Sequence, residues 1–91
     1  MHQGRERAIV AILTEVTRVV EMVTMNEMTQ IFEVTDRLGI HREHVVVPLG
    51  PRHPGRVRRM PNGKIEIVVD SEAEFPRFLS GLEAEIRKVL S

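Results

Sequence analysis

Four side chains that can bind a metal ion lie close together in the sequence. His41, Glu43 and His44 are separated by at most two residues, and His53 follows in the next loop. Imidazole and carboxylate groups are common zinc ligands. Zinc proteases, however, place two His four residues apart on a helix with a Glu between them, and this spacing differs. We therefore favour surface histidines near the start of a strand, and keep a metal-dependent activity as an alternative.

A second chemically active group is a run of basic residues in the middle of the chain. Between residues 41 and 64 the acidic residue is Glu43, whereas the basic residues are Arg42, Arg52, Arg56, Arg58, Arg59 and Lys64. A β-ribbon that carries Arg can contact nucleic acid, and the same charges can face an acidic protein surface. Such charges also protect a sheet edge from aggregation. The candidate binding residues are Arg52, Arg56, Arg58, Arg59 and Lys64.

The composition helps to rank these interpretations. The formal net charge is zero, and the chain has three Phe but no Trp or Tyr. A neutral chain is unlike a protein that coats nucleic acid, and no aromatic side chain near the basic run is available to stack on bases. The leading interpretation is a regulatory or binding domain that presents the basic hairpin to an acidic protein partner. Nucleic-acid binding by the same residues is the first alternative.

The sequence contains no complete catalytic motif. It has no Cys, and Ser71 and Ser80 read as a helix cap and a helical residue. Gly50 and Gly55 are separated by prolines and are not followed by the Gly-Lys-Ser/Thr of a phosphate loop. We therefore predict that the protein is not an enzyme and needs no cofactor.

The N-terminal part of the chain has a helical pattern. Residues 1–4 are expected to fray. Apolar residues then recur every three or four positions over 5–23, and Thr24 with Glu27 matches a capping box that opens a second helix. The second helix is predicted to end near Leu38, because Gly39 suits a left-handed cap. Whether residues 5–38 form one helix or two stays open, although we favour a break at Thr24.

The middle of the chain is predicted to be a small sheet. Val45–Val47 reads as a short strand, and the Pro- and Gly-rich residues 48–55 read as a loop. Asn62-Gly63 predicts a tight two-residue β-turn. That turn pairs Arg59 with Glu66 and places Arg56 and Arg58 on the face of the apolar strand, unless a bulge shifts the register.

Residues 70–74, which begin with Asp70, read as the opening of the last helix, with Ser71 and Glu74 as a capping-box pair. A helical apolar stripe follows from Phe75 to Leu90. We therefore predict one α+β domain over residues 1–91. It comprises two N-terminal helices, a small antiparallel hairpin or three-stranded sheet, and a C-terminal helix packed on the sheet. The stripe over residues 5–23 exceeds what such a sheet can cover, which predicts a homodimer through this helix.

Two further features concern the location of the protein. The chain has no cysteine, and its longest apolar run, Ala8 to Leu13, is too short for a transmembrane helix. We expect a cytoplasmic protein with no membrane contact.

Three short segments between about residues 26 and 87 resemble the ImmA/IrrE-type metallopeptidase domain. They are Leu38-Gly39-Ile40, the strand residues 63–68, and the helix residues 77–86 that begin Arg-Phe. In that family the last helix carries His-Glu-x-x-His. Here Glu83 matches the catalytic Glu, whereas Leu82 and Ile86 stand at the zinc-binding positions. The resemblance implies a non-catalytic relative of that fold.

Overall fold

The structure, a computed structural model, describes residues 22–91. The frayed terminus predicted over 1–4 and nearly all of the helix predicted over 5–23 lie outside these residues. The described part contains two α-helices, a 3₁₀ turn and three strands: α1 (Met25–Arg37), the 3₁₀ turn (Arg42–His44), β1 (Val45–Val46), β2 (Arg56–Arg59), β3 (Ile65–Val68) and α2 (Phe75–Leu90). The prediction of an α+β arrangement is confirmed.

The capping box at the start of α1 is confirmed. The backbone N–H of Glu27 donates to Thr24 Oγ1 at 3.1 Å, and Glu27 Oε1 accepts from the N–H of Thr24 at 2.9 Å. Residues 22–24 are not helical, and Thr24 is extended with φ −81° and ψ 162°. The chain over 5–38 is therefore not one continuous helix, because a break precedes Met25.

The predicted end of this helix is also confirmed. Gly39 has a φ of 76°, which L-residues rarely adopt. Its N–H donates to the carbonyl of Asp36 at 3.0 Å, and the N–H of Ile40 donates to the carbonyl of Thr35 at 3.0 Å. These two bonds form a Schellman motif, which satisfies carbonyls that the helix end would otherwise leave without donors.

The sheet is mixed, with strand order β1-β3-β2. The predicted antiparallel hairpin of β2 and β3 is present, but β1 runs parallel to β3 and pairs Val45 with Ile65. The prediction of an antiparallel sheet is therefore wrong for β1, which is a parallel strand. The chain after β1 reverses direction to form β2 and reverses again at the hairpin to form β3. Strands β1 and β3 therefore run in the same direction.

The hairpin turn has three residues, so the predicted two-residue Asn62-Gly63 turn is wrong. Met60 N–H donates to the Lys64 carbonyl at 2.7 Å, and Gly63 N–H donates to the Met60 carbonyl at 2.9 Å. Gly63 has a φ of 87°, whereas no described residue other than glycine has a positive φ. This is a type I turn followed by a left-handed glycine. Pro61 explains the choice, because it has no N–H with which to close a two-residue turn.

This turn shifts the strand register by one residue. Arg58 faces Glu66 and Arg59 faces Ile65, so the predicted Arg59–Glu66 pair is wrong. Because the side chains of a strand alternate between its faces, the shift moves Arg56 and Arg58 away from the core. The register is therefore shifted, as one alternative from the sequence held, but the three-residue turn causes the shift and the ladder of β2 with β3 contains no bulge.

One hydrophobic core joins α1 and α2 to one face of the sheet. Its fully buried side chains include Ile31, Ile67, Leu82 and Ile86. The start of α2 differs from the expected Ser71 cap. The helix begins at Phe75 with Glu74 as N-cap, and no side chain caps it.

Candidate functional site

The sheet has a core face and an outer face of different character. Ile65 and Ile67 point to the helices and are 4% and 0% exposed. The outer face, which lies away from the helices, carries Arg56, Arg58, Glu66 and Val68. Because side chains alternate between the two faces of a strand, Arg56 and Arg58 lie on the outer face and Arg59 lies on the other face.

A cavity of about 350 Å³ lies where the loop of residues 48–55 meets the outer face. We call it the arginine cavity. Its lining residues are Pro48, Arg52, His53, Pro54, Arg56, Glu66 and Val68. Val68 is only 6% exposed although it points away from the helices. The loop thus encloses an apolar floor with charged groups around it.

The acidic residue of the cavity is engaged by an arginine beside it. Arg58 Nε donates to Glu66 Oε1 at 2.6 Å, and the Glu66 side chain is 15% exposed. The hydrogen bond from Arg58 lowers the pKa of Glu66, and the charges of Arg58, Arg56 and Arg52 lower it further. Glu66 is therefore ionised and its charge is offset by Arg58.

Arg52 and Arg56 lack such a partner among residues 22–91. No carboxylate of these residues lies within 4.0 Å of either guanidinium group. Both side chains line the arginine cavity. The cavity consequently has an excess of positive charge.

Asp70 fastens the loop to the end of β3. Asp70 Oδ2 accepts from Gly55 N–H at 2.9 Å, and Oδ1 accepts from the N–H groups of Glu72 and Ala73 at 2.7 and 3.0 Å. The same Oδ1 lies 3.2 Å from His53 Nδ1. The contacts with Gly55 and His53 make Asp70 the anchor of residues 53–55, and the bonds from Glu72 and Ala73 fix the Asp70 carboxylate itself.

The pKa values of His53 and Asp70 are both shifted from their ordinary values. The backbone N–H of Gly55, followed by that of Glu72 and by His53, holds the pKa of Asp70 well below its usual range. The hydrogen bond to Asp70 raises the pKa of His53, with further help from Glu72. Each shift favours the charged form of its group.

The backbone of Arg52 is held in the same region. Its N–H donates to the carbonyl of Val69 at 3.0 Å, and its carbonyl accepts from the N–H of Ser71 at 3.0 Å. Arg52 thereby forms an isolated parallel bridge with Asp70. Two hydrogen bonds therefore fix the backbone of Arg52 although the residue lies in a loop.

The other predicted patch residues lie elsewhere. Arg59 is paired with Ile65, on the face of β2 that also holds Val57, and Lys64 belongs to the hairpin turn. The structure therefore brings together Arg52, Arg56 and Arg58 at the arginine cavity or beside it, whereas Arg59 lies on the other face of β2 and Lys64 does not line the cavity.

The histidine cluster is not assembled in the described part of the chain. His41 and His44 flank the 3₁₀ turn with ring centroids 6.2 Å apart, whereas His53 contacts Asp70. Within residues 22–91 no group of three or more His, Asp or Glu side chains is placed to hold a metal ion. His41, Glu43, His44 and His53 do not share a site there.

Three contributors to the site were not foreseen from the sequence. Glu66 was predicted as a partner of Arg59, Asp70 as the start of a helix, and Gly55 only as a loop residue. Gly55 packs so closely on Asp70 that a Cβ added to Gly55 would lie 2.7 Å from the backbone nitrogen of Asp70. A Gly directly after Pro54, with an Asp just beyond the second strand that follows it, is the signal that was available.

Comparison with protein-family models, curated proteins and solved structures gave no match. Over the described residues, no helix has the length and hydropathy needed to cross a membrane. Leu82 and Ile86, which the resemblance stated from the sequence would align with zinc-binding positions, are 1% and 0% exposed and belong to the core.

Proposed function

We propose that the protein is a non-enzymatic binding module whose outer face binds an acidic surface of a protein partner. The observation that carries this proposal is the placement of Arg52 and Arg56 around one cavity, without carboxylate partners among residues 22–91. Charged groups arranged in this way steer and select a partner of opposite charge. Buried apolar residues at positions 82 and 86 support the non-enzymatic part of the proposal.

The test is a charge reversal with a matched control. The full-length variant R52E/R56E should lose a partner that the wild-type protein captures from its native host. The control R59E/R77E changes the charge equally at two exposed residues outside the cavity, and should retain that partner. Equal capture by both variants would contradict the proposal. Circular dichroism confirms that each variant is folded.

Nucleic-acid binding by the same residues is the second candidate. It is favoured by Arg56 and Arg58 on the outer face together with Arg52 in the adjoining loop, and opposed by the zero net charge of the chain. Contacts to phosphates give a steep linear fall of log affinity with log salt concentration. Nuclease treatment that abolishes capture, together with such a slope, would decide for this alternative.

We also retain the proposal of a homodimer through the helix predicted over residues 5–23. It is supported by the length of the apolar stripe in the sequence. Sedimentation of the full-length protein over a range of concentrations tests it. A species that stays monomeric at the highest concentration would rule out the dimer.

A further inference from the structure

We propose that the arginine cavity binds a phosphate monoester on a phosphorylated side chain of the partner. This inference rests on the proposed function for the identity of the surface and adds the chemical group that it recognises. It depends on charge balance, on the number of donors, on the rigidity of the site and on its size.

The charge balance of the cavity matches a dianion. The ionisable side chains that line it are Arg52, His53, Arg56 and Glu66. Arg58 offsets Glu66 from the opposite position on β2, and Asp70 offsets His53. Two positive charges are then left in excess. A phosphate monoester carries about −1.5 to −2 charges at neutral pH, whereas a carboxylate carries one.

The number of donors also favours a phosphate. One guanidinium fork occupies both oxygens of a carboxylate through two parallel hydrogen bonds. A phosphate monoester has three terminal oxygens and can accept from two forks. Arg52 and Arg56 supply two guanidinium groups to one cavity, which exceeds the need of an Asp or Glu side chain.

The two arginines are carried by backbone that is already fixed. Arg56 is paired with Val68 in the sheet, and the N–H and carbonyl of Arg52 are both bonded to the segment after β3. Asp70 holds the intervening turn through Gly55 and His53. A site that is organised before binding loses less entropy when the ligand arrives.

The size and the walls of the cavity favour a single group over a polynucleotide. A volume of about 350 Å³ is near the lower limit of small-ligand pockets, about 300–1,000 Å³. Its walls are Pro48, Pro54 and Val68 together with the charged residues, and they include no Phe, Tyr or Trp on which a base could stack. The imidazole of His53 also lines the cavity but is engaged by Asp70. A phosphorylated side chain fits this description better than an extended strand.

The first experiment uses phosphate itself. Sodium phosphate replaces sodium chloride at constant ionic strength, and the Nε–H resonances of the arginines of the full-length protein are followed by NMR. We expect saturable shifts at Arg52 and Arg56. R56Q should weaken binding at least about tenfold, the usual effect of losing a charged hydrogen-bond donor. R59Q makes the same charge change on the other face of β2 and should leave the affinity unchanged.

Removing the charge of Glu66 should change the phosphate affinity in the opposite direction from R56Q. E66Q removes the negative charge from the cavity and should strengthen phosphate binding, whereas R58Q exposes that charge and should weaken it although Arg58 does not line the cavity. Shifts that are linear in phosphate, or that are equal at Arg59, would overturn the inference, as would equal losses in R56Q and R59Q.

The second experiment identifies the source of the phosphate. A peptide with one phosphoserine flanked by acidic residues should bind more tightly than the unphosphorylated peptide, and single-stranded DNA should compete poorly. Preference for the DNA would overturn the assignment to a protein partner. If phosphate and phosphopeptide do not bind but R52E/R56E still loses the captured partner, this inference fails and the proposed function stands. If phosphate binds and no partner is lost, the proposed function fails instead.

Discussion

Arg58 and Glu66 lie opposite each other on β2 and β3, and Arg58 Nε donates to Glu66 Oε1 at 2.6 Å. The Arg58 side chain is 44% exposed and that of Glu66 is 15% exposed. A carboxylate with little exposed surface is stabilised by a charged donor, and this cross-strand pair supplies one. The pair therefore links the hairpin register to the charge of the arginine cavity.

A double-mutant cycle tests this register. R58Q and E66Q should each lower the urea midpoint, and the double variant should lose less than the sum because the two side chains interact. The matched cycle of R59Q with E66Q should show no coupling, since Arg59 faces Ile65. Unfolding is followed by circular dichroism, because the chain has no Trp or Tyr. Coupling in the second cycle alone would contradict the observed register.

Two Gly→Ala changes should have opposite effects on stability. At Gly55 a Cβ would lie 2.7 Å and 2.9 Å from backbone atoms of Asp70, which cannot move aside easily. We expect G55A to destabilise the fold by about 1–3 kcal/mol. At Gly81, exposed within α2, a Cβ meets nothing within 4 Å, and G81A should add up to about 1 kcal/mol of helix stability. Urea denaturation measures both, and a neutral G55A would show that the loop does not pack on Asp70.

The cap of α1 should contribute to stability through its side-chain oxygen. Thr24 Oγ1 accepts from the N–H of Glu27, so T24A leaves that donor to water. The expected loss is about 1 kcal/mol in the free energy of unfolding. T24S keeps the oxygen and serves as the control. Equal losses in both variants would indicate that packing of the Thr methyl group, rather than the cap, is responsible.

The contact between His53 and Asp70 should depend on pH. The raised pKa of His53 means that its contribution to stability is complete below about pH 6.5 and is lost as the pH rises through the higher folded value. The lowered pKa of Asp70 has the opposite sense: its contribution is complete above about pH 4 and declines as the pH falls below that value. The loop should therefore be held most firmly between about pH 4 and 6.5.

H53Q provides the measurement for this prediction. The difference in thermal midpoint between the wild-type protein and H53Q should be larger near about pH 5.5 than near about pH 8.5, because the imidazolium is lost in between. Asp70 and Glu72 are the acidic groups that face His53, at 3.2 and 3.9 Å. A difference that is independent of pH would contradict the role given to this contact.

The local elements were predictable from the sequence because their interactions span only a few residues. Thr24 and Glu27 are three residues apart, and the cap at Gly39 closes on Asp36 and Thr35. Each signal depends on backbone geometry that the nearby residue types determine. The α+β class follows from these local patterns together with the apolar stripe of α2.

The register of the β2–β3 hairpin depends on two local signals that favour different turns. Asn62-Gly63 favours a two-residue turn, but Pro61 favours the second position of a type I turn and cannot donate to Lys64. The rigid proline outweighs the Asn-Gly preference, and one residue of slip exchanges the faces of Arg58 and Arg59.

The candidate site depends on contacts that no local pattern encodes. Gly55 and Asp70 are 15 residues apart, and Val45 pairs with Ile65 across the whole loop and hairpin. Asp70 also looked like part of a helix start, which is where Asp commonly occurs. The positive charge was therefore foreseen, whereas the cavity that gathers Arg52 with Arg56 was not.

The position of β3 has a consequence for synthesis on the ribosome. It is the last strand in the sequence and the middle strand of the sheet. While β3 is still inside the ribosome, β1 and β2 can emerge without the strand that joins them. Pairing of Val45 with Ile65 must also close a loop of about 20 residues. We therefore expect the emergence of β3 from the ribosome to be the step at which the chain commits to this fold.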